Sequence, residues 1–310
     1  MNLVWLVLGV SLLYLGGEGL VRGAAAFGRR HGLSPIVIGL TIVSVGTSSP
    51  ELAASLAGVF KGAPAVSLGN IVGSNIANLG LVLGLTAFIW PLTVAARFIR
   101  REVPFMLLTS ALMFLLVRDG VVSRLEGVIL LVILIVYLSR LLGRKEKSSV
   151  ESEFEEAYGD GSTSGWWSLI AILVGVGLLV VGANALIKGA VGLARTMGIS
   201  ERVIGLTMVA FGTSLPELAS SVVAAIRREG DIVLGNLIGS NIFNILFILG
   251  VTATIRPLLV VAEAFWGDLI AMMAVSLVAW VFLRTARRLA RLEGALLVTF
   301  YCAYLVYLFL

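Results

Sequence analysis

The sequence predicts an all-α polytopic membrane protein whose ten transmembrane helices form two inverted five-helix repeats. Three observations predict it. Of 310 residues, 59% are hydrophobic and only 13% charged, and the mean hydropathy is +1.04, the composition of a chain whose solvent is mostly lipid. Charged or turn-rich breaks divide the chain into ten apolar stretches, most near the roughly 20 residues that a helical span requires. A long segment of the first half also recurs in the second, 166 positions later.

The spans fall at about 2–27, 35–60, 66–90, 103–118 and 121–143, then 167–194, 202–226, 232–255, 265–284 and 290–310. Residues 1–143 therefore read as the first repeat, 144–166 as a cytoplasmic linker and 167–310 as the second repeat. The linker starts basic and turns acidic (Glu151, Glu153, Glu155, Glu156, Asp160), and such Gly/Ser-rich charged runs stay solvated. Met1-Asn2-Leu3-Val4-Trp5 runs uncharged into a full span, unlike the basic start of a signal peptide, so the N-terminus reads as retained. Trp166-Trp167 opens the sixth span as an aromatic belt anchor.

The net charge of +5 does not indicate nucleic acid, because the basic residues gather at span ends, where membrane orientation needs them. With the N-terminus outside, 16 of the 23 Lys and Arg fall in inner loops and seven outside, which favours a multi-pass cell-membrane protein with both termini outside. The single Cys302 excludes an internal disulfide and a thiolate metal cluster, and reads as lipid-facing or as core packing. The lipid bilayer is the expected surrounding, and no obligate protein partner is evident.

Gly9 to Leu92 aligns with Gly175 to Leu258 without a gap, and 29 of the 56 positions between Val37–Leu92 and Val203–Leu258 are identical. The matches include Gly46, Thr47, Ser48, Pro50, Glu51, Ser55, Asn70, Ser74, Asn75 and Asn78, which chance similarity of Leu/Val/Ala runs does not produce. Each half holds five spans, an odd number, so the second copy enters the membrane from the opposite side. Inverted repeats of this kind imply alternating access around a site near the bilayer midplane.

The motif Gly46-Thr47-Ser48-Ser49-Pro50-Glu51 returns as Gly212-Thr213-Ser214-Leu215-Pro216-Glu217. A charge at the bilayer centre costs at least roughly 2.5–3.5 kcal/mol, so Glu51 and Glu217 mark an ion path better than packing. Thr47 and Ser48 lie four and three residues before Glu51 and so share a helical face with it, as do Thr213 and Ser214 with Glu217. Pro50 and Pro216 lack an amide hydrogen and clash one turn back, which frees carbonyls near Gly46 and Thr47 and near Gly212 and Thr213. Ser74 with Asn78, and Ser240 with Asn244, add a second stripe at i and i+4.

All of these donors are oxygen, which suits a hard cation such as Ca²⁺ or Na⁺. The plainer reading takes Ser, Thr and Gly as close-packing residues and Pro as a kink; two acids at matching depth weigh against it. Two ionised Glu make a site of charge −2 that one Ca²⁺ neutralises. If three Na⁺ replace it, each cycle moves charge. Glu18, aligned with Asn184, either lines an access path or snorkels to the interface. Asp268 is expected at the interface, and His31, the only His, in a solvated loop. Intramembrane hydrolysis would need a Ser/His or Ser/Lys dyad, paired Asp or a His-Glu-x-x-His helix, so the chain does not read as an enzyme, and no cofactor is expected.

The doubled Gly-Thr-Ser-x-Pro-Glu motif, each copy followed by Gly-Asn-x-x-Gly-Ser-Asn-x-x-Asn, resembles the α-repeats of the sodium/calcium exchanger branch of the cation/calcium exchanger superfamily. The chain looks like a prokaryotic member, and the resemblance implies an antiporter of Na⁺ and Ca²⁺ with a diamond-like cluster of sites between spans 2, 3, 7 and 8. Carried over, Glu51, Glu217 and the carbonyls of Thr47 and Thr213 would hold Ca²⁺. Sodium would use Ser48, Ser74, Ser214, Ser240 and the Thr47 and Thr213 positions, with backbone help from Ser44 and Ala210, and spans 1 and 6 would slide. Some relatives carry Asp where this chain has Asn244, the partner of Asn78, so exchange is expected to be independent of K⁺. The linker is too short for the calcium-sensing domains of larger exchangers. The alternatives are a proton-coupled calcium exchanger, whose second segments carry an acid in place of the Ser-Asn pattern, and a cation channel.

Overall fold

Most of the long described helices start within a few residues of an apolar stretch. The computed structural model describes residues 2–143, 165–198, 212–285 and 287–309. Ala210, Arg202, the first part of the seventh span and most of the linker lie outside the described residues.

The order is α1 (Asn2–Arg30); α2 (Pro35–Ile38), a π-helical turn (Gly39–Val43) and α3 (Ser44–Thr47); α4 (Ser49–Phe60); α5 (Pro64–Ala77), a second π turn (Asn78–Leu83) and α6 (Gly84–Ile89); β1 (Leu92–Thr93); α7 (Ala96–Val117); β2 (Val121–Val122); and α8 (Arg124–Leu142). It continues with α9 (Gly165–Thr196); α10 (Leu215–Ile226); α11 (Gly230–Phe243), a third π turn (Asn244–Leu249) and α12 (Gly250–Ile255); β3 (Leu258–Leu259); α13 (Trp266–Thr285); β4 (Arg288–Leu289); and α14 (Arg291–Phe309). Apart from these two-residue strands the described protein is helical. Seven of its helices are long and apolar enough to cross a membrane, or eight when the pair flanking Ser48 counts as one span. One boundary differs from expectation: α7 begins at Ala96 rather than near 103. Arg97, Arg100 and Arg101 are exposed in its first turns while Glu102 is already buried, because the extended backbone of Ala95, and not the charges, ends the preceding loop.

Two compact units form, Met1–Thr47 with Ser139–Asn236, and Ser48–Leu138 with Leu237–Leu310, so each draws on both sequence halves. In the first, α1 and α9 run antiparallel. A Cβ at Gly9 would meet Leu186 N at 2.5 Å, one at Gly16 would meet Leu179 N at 2.7 Å, and one at Gly23 would meet Ser168 O at 2.9 Å. Backbones approach this closely only over small residues. Glu18 of α1, read as lining a path or snorkelling, pairs with Arg22 at 2.6 Å and accepts from Arg227 Nε at 2.8 Å and from its Nη2. Arg227 lies 209 positions away, which no local pattern reveals.

In the second unit the connectors exchange partners between halves: Leu92 of β1 pairs antiparallel with Leu289 of β4, and Val122 of β2 with Leu258 of β3. Gly84 of α6 abuts Gly294 of α14, and Gly127 of α8 abuts Gly250 of α12, again backbone on backbone. Tyr137 donates to Glu102 at 2.9 Å and Tyr304 to Asp268 at 3.0 Å. Asp268, expected at the interface, is half-buried in the first turn of α13 and is tied into the helix bundle by its tyrosine. The span Pro64–Ile89 is 78% buried by protein, whereas Arg124–Leu142 is 22% buried and offers its apolar surface to lipid. Cys302 is exposed on α14, His31 stacks on Phe27 at an exposed helix end, and Trp166 and Trp167 are exposed at the start of α9.

The α1–α9 contact yields a test. Gly175→Ala would place its Cβ 2.5 Å from Leu20 N and should cost about 1–3 kcal/mol, as overpacking does. Gly177→Ala, with no atom within 4 Å, should be neutral or stabilise slightly. Thermal unfolding in detergent measures both, and equal midpoints would contradict the packing described.

Candidate functional site

Both proline motifs break their helices at the same place. Ser48 (φ −81°, ψ 5°) and Ser214 (φ −86°, ψ 5°) leave helical geometry, and α4 and α10 restart behind them with Pro50 and Pro216 in the first turn. Their ladders resume with Leu52 N on Ser48 O (3.1 Å) and Leu218 N on Ser214 O (3.0 Å). This corrects one expectation: Thr47 ends α3 while Glu51 sits in the first turn of α4, so the two do not share one continuous helical face. The cause is the proline, which cannot continue the ladder. Glu51 and Glu217 are both 0% exposed. Each lies at the positive end of a helix dipole, which favours the ionised carboxylate, and a buried charge still requires compensation.

In the first unit one asparagine organises the neighbours. Ser44 Oγ lies 2.7 Å from Gly39 O and 2.9 Å from Asn236 O. Thr47 Oγ1 reaches Asn236 Oδ1 at 3.2 Å and Ser44 O at 3.4 Å. Asn236 Nδ2 donates to Ser220 Oγ (3.3 Å) and Ser221 Oγ (3.2 Å), and Ser220 Oγ donates to Glu217 O (3.1 Å). Asn236 therefore links α3 to the helix that carries Glu217. The segments meet closely because Gly39 and Gly235 face each other: a Cβ on either would lie 2.6 Å from a carbonyl oxygen, of Ile232 or Ile36 respectively. Thr213 is half-buried, and Ser214 is buried with a hydroxyl that has no hydrogen-bond partner among the described residues.

In the second unit Asn70 plays the matching part, with Nδ2 donating to Glu51 O (3.1 Å) and Ser55 Oγ (2.9 Å). Ser48 Oγ lies 3.1 Å from Ser240 Oγ. Asn244 Nδ2 donates to Asn75 Oδ1 at 3.0 Å, while Asn75 Nδ2 and Asn241 Nδ2 turn to the sulfurs of Met272 and Met106 at 3.6 and 3.7 Å. Ser74 is buried. Asn78 is 0% exposed, and neither of its amide atoms has a hydrogen-bond partner among the described residues. Asn78 and Asn244 each open a π turn, a local widening that often accompanies function.

Ser44, Thr47, Thr213, Ser214 and Glu217 thus belong to the first unit and Ser48, Glu51, Ser74, Asn78, Ser240 and Asn244 to the second. Within the units the structure brings Ser44 to Thr47 and Ser48 to Ser240. Sequence reasoning counted Asn70 and Asn236 as repeat identities and gave them no role. Their signal was present, since each follows a glycine and precedes Gly-Ser-Asn by two residues in both copies. What the donors offer is carboxylate, hydroxyl, amide and carbonyl oxygen, the ligand set of a hard cation.

Asn236→Ala removes the partner of Thr47, Ser220 and Ser221 and should destabilise by about 1–3 kcal/mol, the cost of buried groups left unpaired. Asn184→Ala, exposed and donating to Val180 O of its own helix, should stay within about 0.5 kcal/mol of the parent. Unfolding midpoints compare them, and an equally mild Asn236→Ala would deny the network its role.

The chain matches the family model of the sodium/calcium exchanger protein over residues 1–143 and 167–310. It is 33% identical over 344 residues to the sodium/calcium exchanger MaX1 of Methanosarcina acetivorans, covering 99% of this chain and 98% of that one. It is 36% identical over 278 residues to the inner membrane protein YrbG of Escherichia coli, covering 88% and 86%. Among solved structures it is similar to the sodium-calcium exchanger NCX_Mj soaked with Na⁺ and Ca²⁺, with a TM-score of 0.83, 33% identity and coverage of 98% of this chain and 97% of that one.

Proposed function

The chain belongs to the sodium/calcium exchanger protein family, and from that premise we propose that it exchanges Na⁺ for Ca²⁺ across the cell membrane by alternating access. It is a membrane antiporter for Ca²⁺ and another cation, and not an enzyme. The observation that carries the finer reading is the duplicated acid, Glu51 and Glu217, each fully buried in the first turn of a proline-started helix. Both carboxylates take Ca²⁺ with the Thr47 and Thr213 carbonyls, and Na⁺ competes through Ser48, Ser74, Ser214, Ser240 and the same threonines, with Ser44 and Ala210 lending backbone. Asn78 and Asn244 complete the oxygen set as neutral donors.

The ten-span architecture of two inverted repeats, 1–143 and 167–310, joined by the cytoplasmic linker 144–166 with both termini outside, belongs to this proposal. The antiparallel run of α1 against α9, which align in the repeat, supports it; so do the exchanged strand pairs of the connectors. Two ionised glutamates neutralise one Ca²⁺, whereas three Na⁺ leave a charge of +1, so the cycle carries current. Asn at both repeat positions, in place of Asp, supports exchange without K⁺.

In proteoliposomes a Na⁺ gradient should drive ⁴⁵Ca²⁺ uptake, and Glu51→Gln and Glu217→Gln should each lower it by about a hundredfold or more, the order expected when one partner of a buried charge constellation is removed. Full activity in both variants would end the site assignment. Uptake driven by a proton gradient without Na⁺ would select the proton-coupled reading, and flux with no counter-ion a channel. A Na⁺ jump on a solid-supported membrane should give a current that is unchanged when K⁺ is replaced by choline; electroneutral exchange at all voltages refutes the charge count.

A further inference from the structure

Three arginines crowd one end of α7 and α13 without an acid among them. Arg100 stands in the early turns of α7, Arg284 in the last turn of α13 and Arg287 in the turn that leads to β4. Together with Ile99, Pro104 and Trp280 they line an open cavity of about 430 Å³. Arg284 lies 5.5 Å over the ring of Trp280, and none of the three arginines is ion-paired among the described residues. Glu102, the acid nearest Arg100 in sequence, accepts from Tyr137 instead. A neighbouring cavity, lined by Trp90, Arg288 and Arg291, extends the positive charge around β4.

The backbone adds an independent observation. Arg287 has φ 50° and Gly120 has φ 78°. These are counterpart turns: Arg287 O accepts from Val94 N at 2.8 Å, and Gly120 O accepts from Val260 N at 2.9 Å. One half fills the left-handed position with glycine, which suits it. The other half keeps a long cationic side chain there, against the preference of any L residue. Strain retained at a non-glycine position points to a use for the side chain, and this side chain faces the cavity shared with Arg100 and Arg284.

We propose that this cavity binds the phosphate headgroup of an anionic membrane lipid, with Arg100, Arg284 and Arg287 as its ligands. Guanidinium groups meet phosphate oxygens through paired, charge-assisted hydrogen bonds. A lipid fits better than a soluble phosphate because the floor is apolar and the same helices expose Leu108, Leu277 and Val281 beside it for an acyl chain. Basic pockets between spanning helices are the setting in which anionic lipids are held.

Native mass spectrometry of the purified chain in detergent tests this, with phosphatidylglycerol or cardiolipin added against phosphatidylcholine. The parent should retain the anionic lipids selectively. Arg287→Gly should weaken retention about fivefold, and Arg100→Gln with Arg284→Gln and Arg287→Gln together about a hundredfold, taking each arginine near the headgroup plane at its usual contribution. Without lipid, Arg287→Gly should unfold at or above the parent temperature, since glycine restores the backbone choice of the other half. The proposal is overturned if the triple variant keeps anionic lipid like the parent, or if phosphatidylcholine binds equally. Arg287→Gly melting below the parent would assign Arg287 to the fold and overturn its role. Millimolar inorganic phosphate stabilising the parent as much as lipid does would make the ligand a soluble anion.

Discussion

Polar groups inside an apolar span have no water to turn to, and every other feature of this protein follows from how the chain answers that constraint. Proline removes one hydrogen bond from the helix ladder, a serine in bridge geometry follows the last regular residue, and a glutamate enters the first turn beyond. The helix dipole favours its charge there, but at 0% exposure the dipole alone does not replace water. Such a carboxylate is stable as an anion only with a cation or with a dense set of donors. The asparagines supply rigidity and not charge: Asn70 donates to the backbone oxygen of Glu51, and Asn236 engages Ser220, which donates to that of Glu217. Position is thus fixed through the main chain.

Duplication reaches further in the hydrogen bonds than in the residues. Asn70 with Ser55 and Asn236 with Ser221 are counterparts, as are Asn75 with Met272 and Asn241 with Met106. Ser110 and Ser276 both donate to the carbonyl four residues back, of Met106 and Met272. Beyond the gapless block the side chains change but the contact stays: Tyr137 holds a glutamate where Tyr304 holds an aspartate. A repeat is conserved as geometry wherever a buried polar group needs a partner, because losing the partner costs about 1–3 kcal/mol whatever the neighbouring apolar residues are.

Much of this was legible in the sequence, and for a physical reason. Apolar length and proline act through local chain chemistry, so most of the apolar spans and the breaks near Pro50 and Pro216 could be anticipated. What escaped depends on distant partners. The Glu18–Arg227 pair spans 209 positions, the strand pairs join connectors from different halves, and the π turns at Asn78 and Asn244 use residues that fit an α-helix equally well. The early start of α7 was missed because charge marks where water begins, not where a helix does. Asn70 and Asn236 were visible as identities, yet an asparagine that accepts and donates around a backbone looks in sequence like one that binds a ligand.

One difference between the halves is not written in any residue. Asn78 and Asn244 have the same identity, the same burial and the same π turn. Asn244 nonetheless donates to Asn75, while the mirrored bond from Asn78 to Asn241 is absent. Since the donors and acceptors are equivalent, the arrangement with the bond made in the other half would use the same chemistry. An alternating carrier requires two such nearly matched states, because ions shift a population only by their differential affinity, and a large built-in gap would hold the protein in one of them. Near-identical polar halves that are not bonded identically at one moment are, from the sequence upward, the kind of element that the exchange proposed for this chain needs.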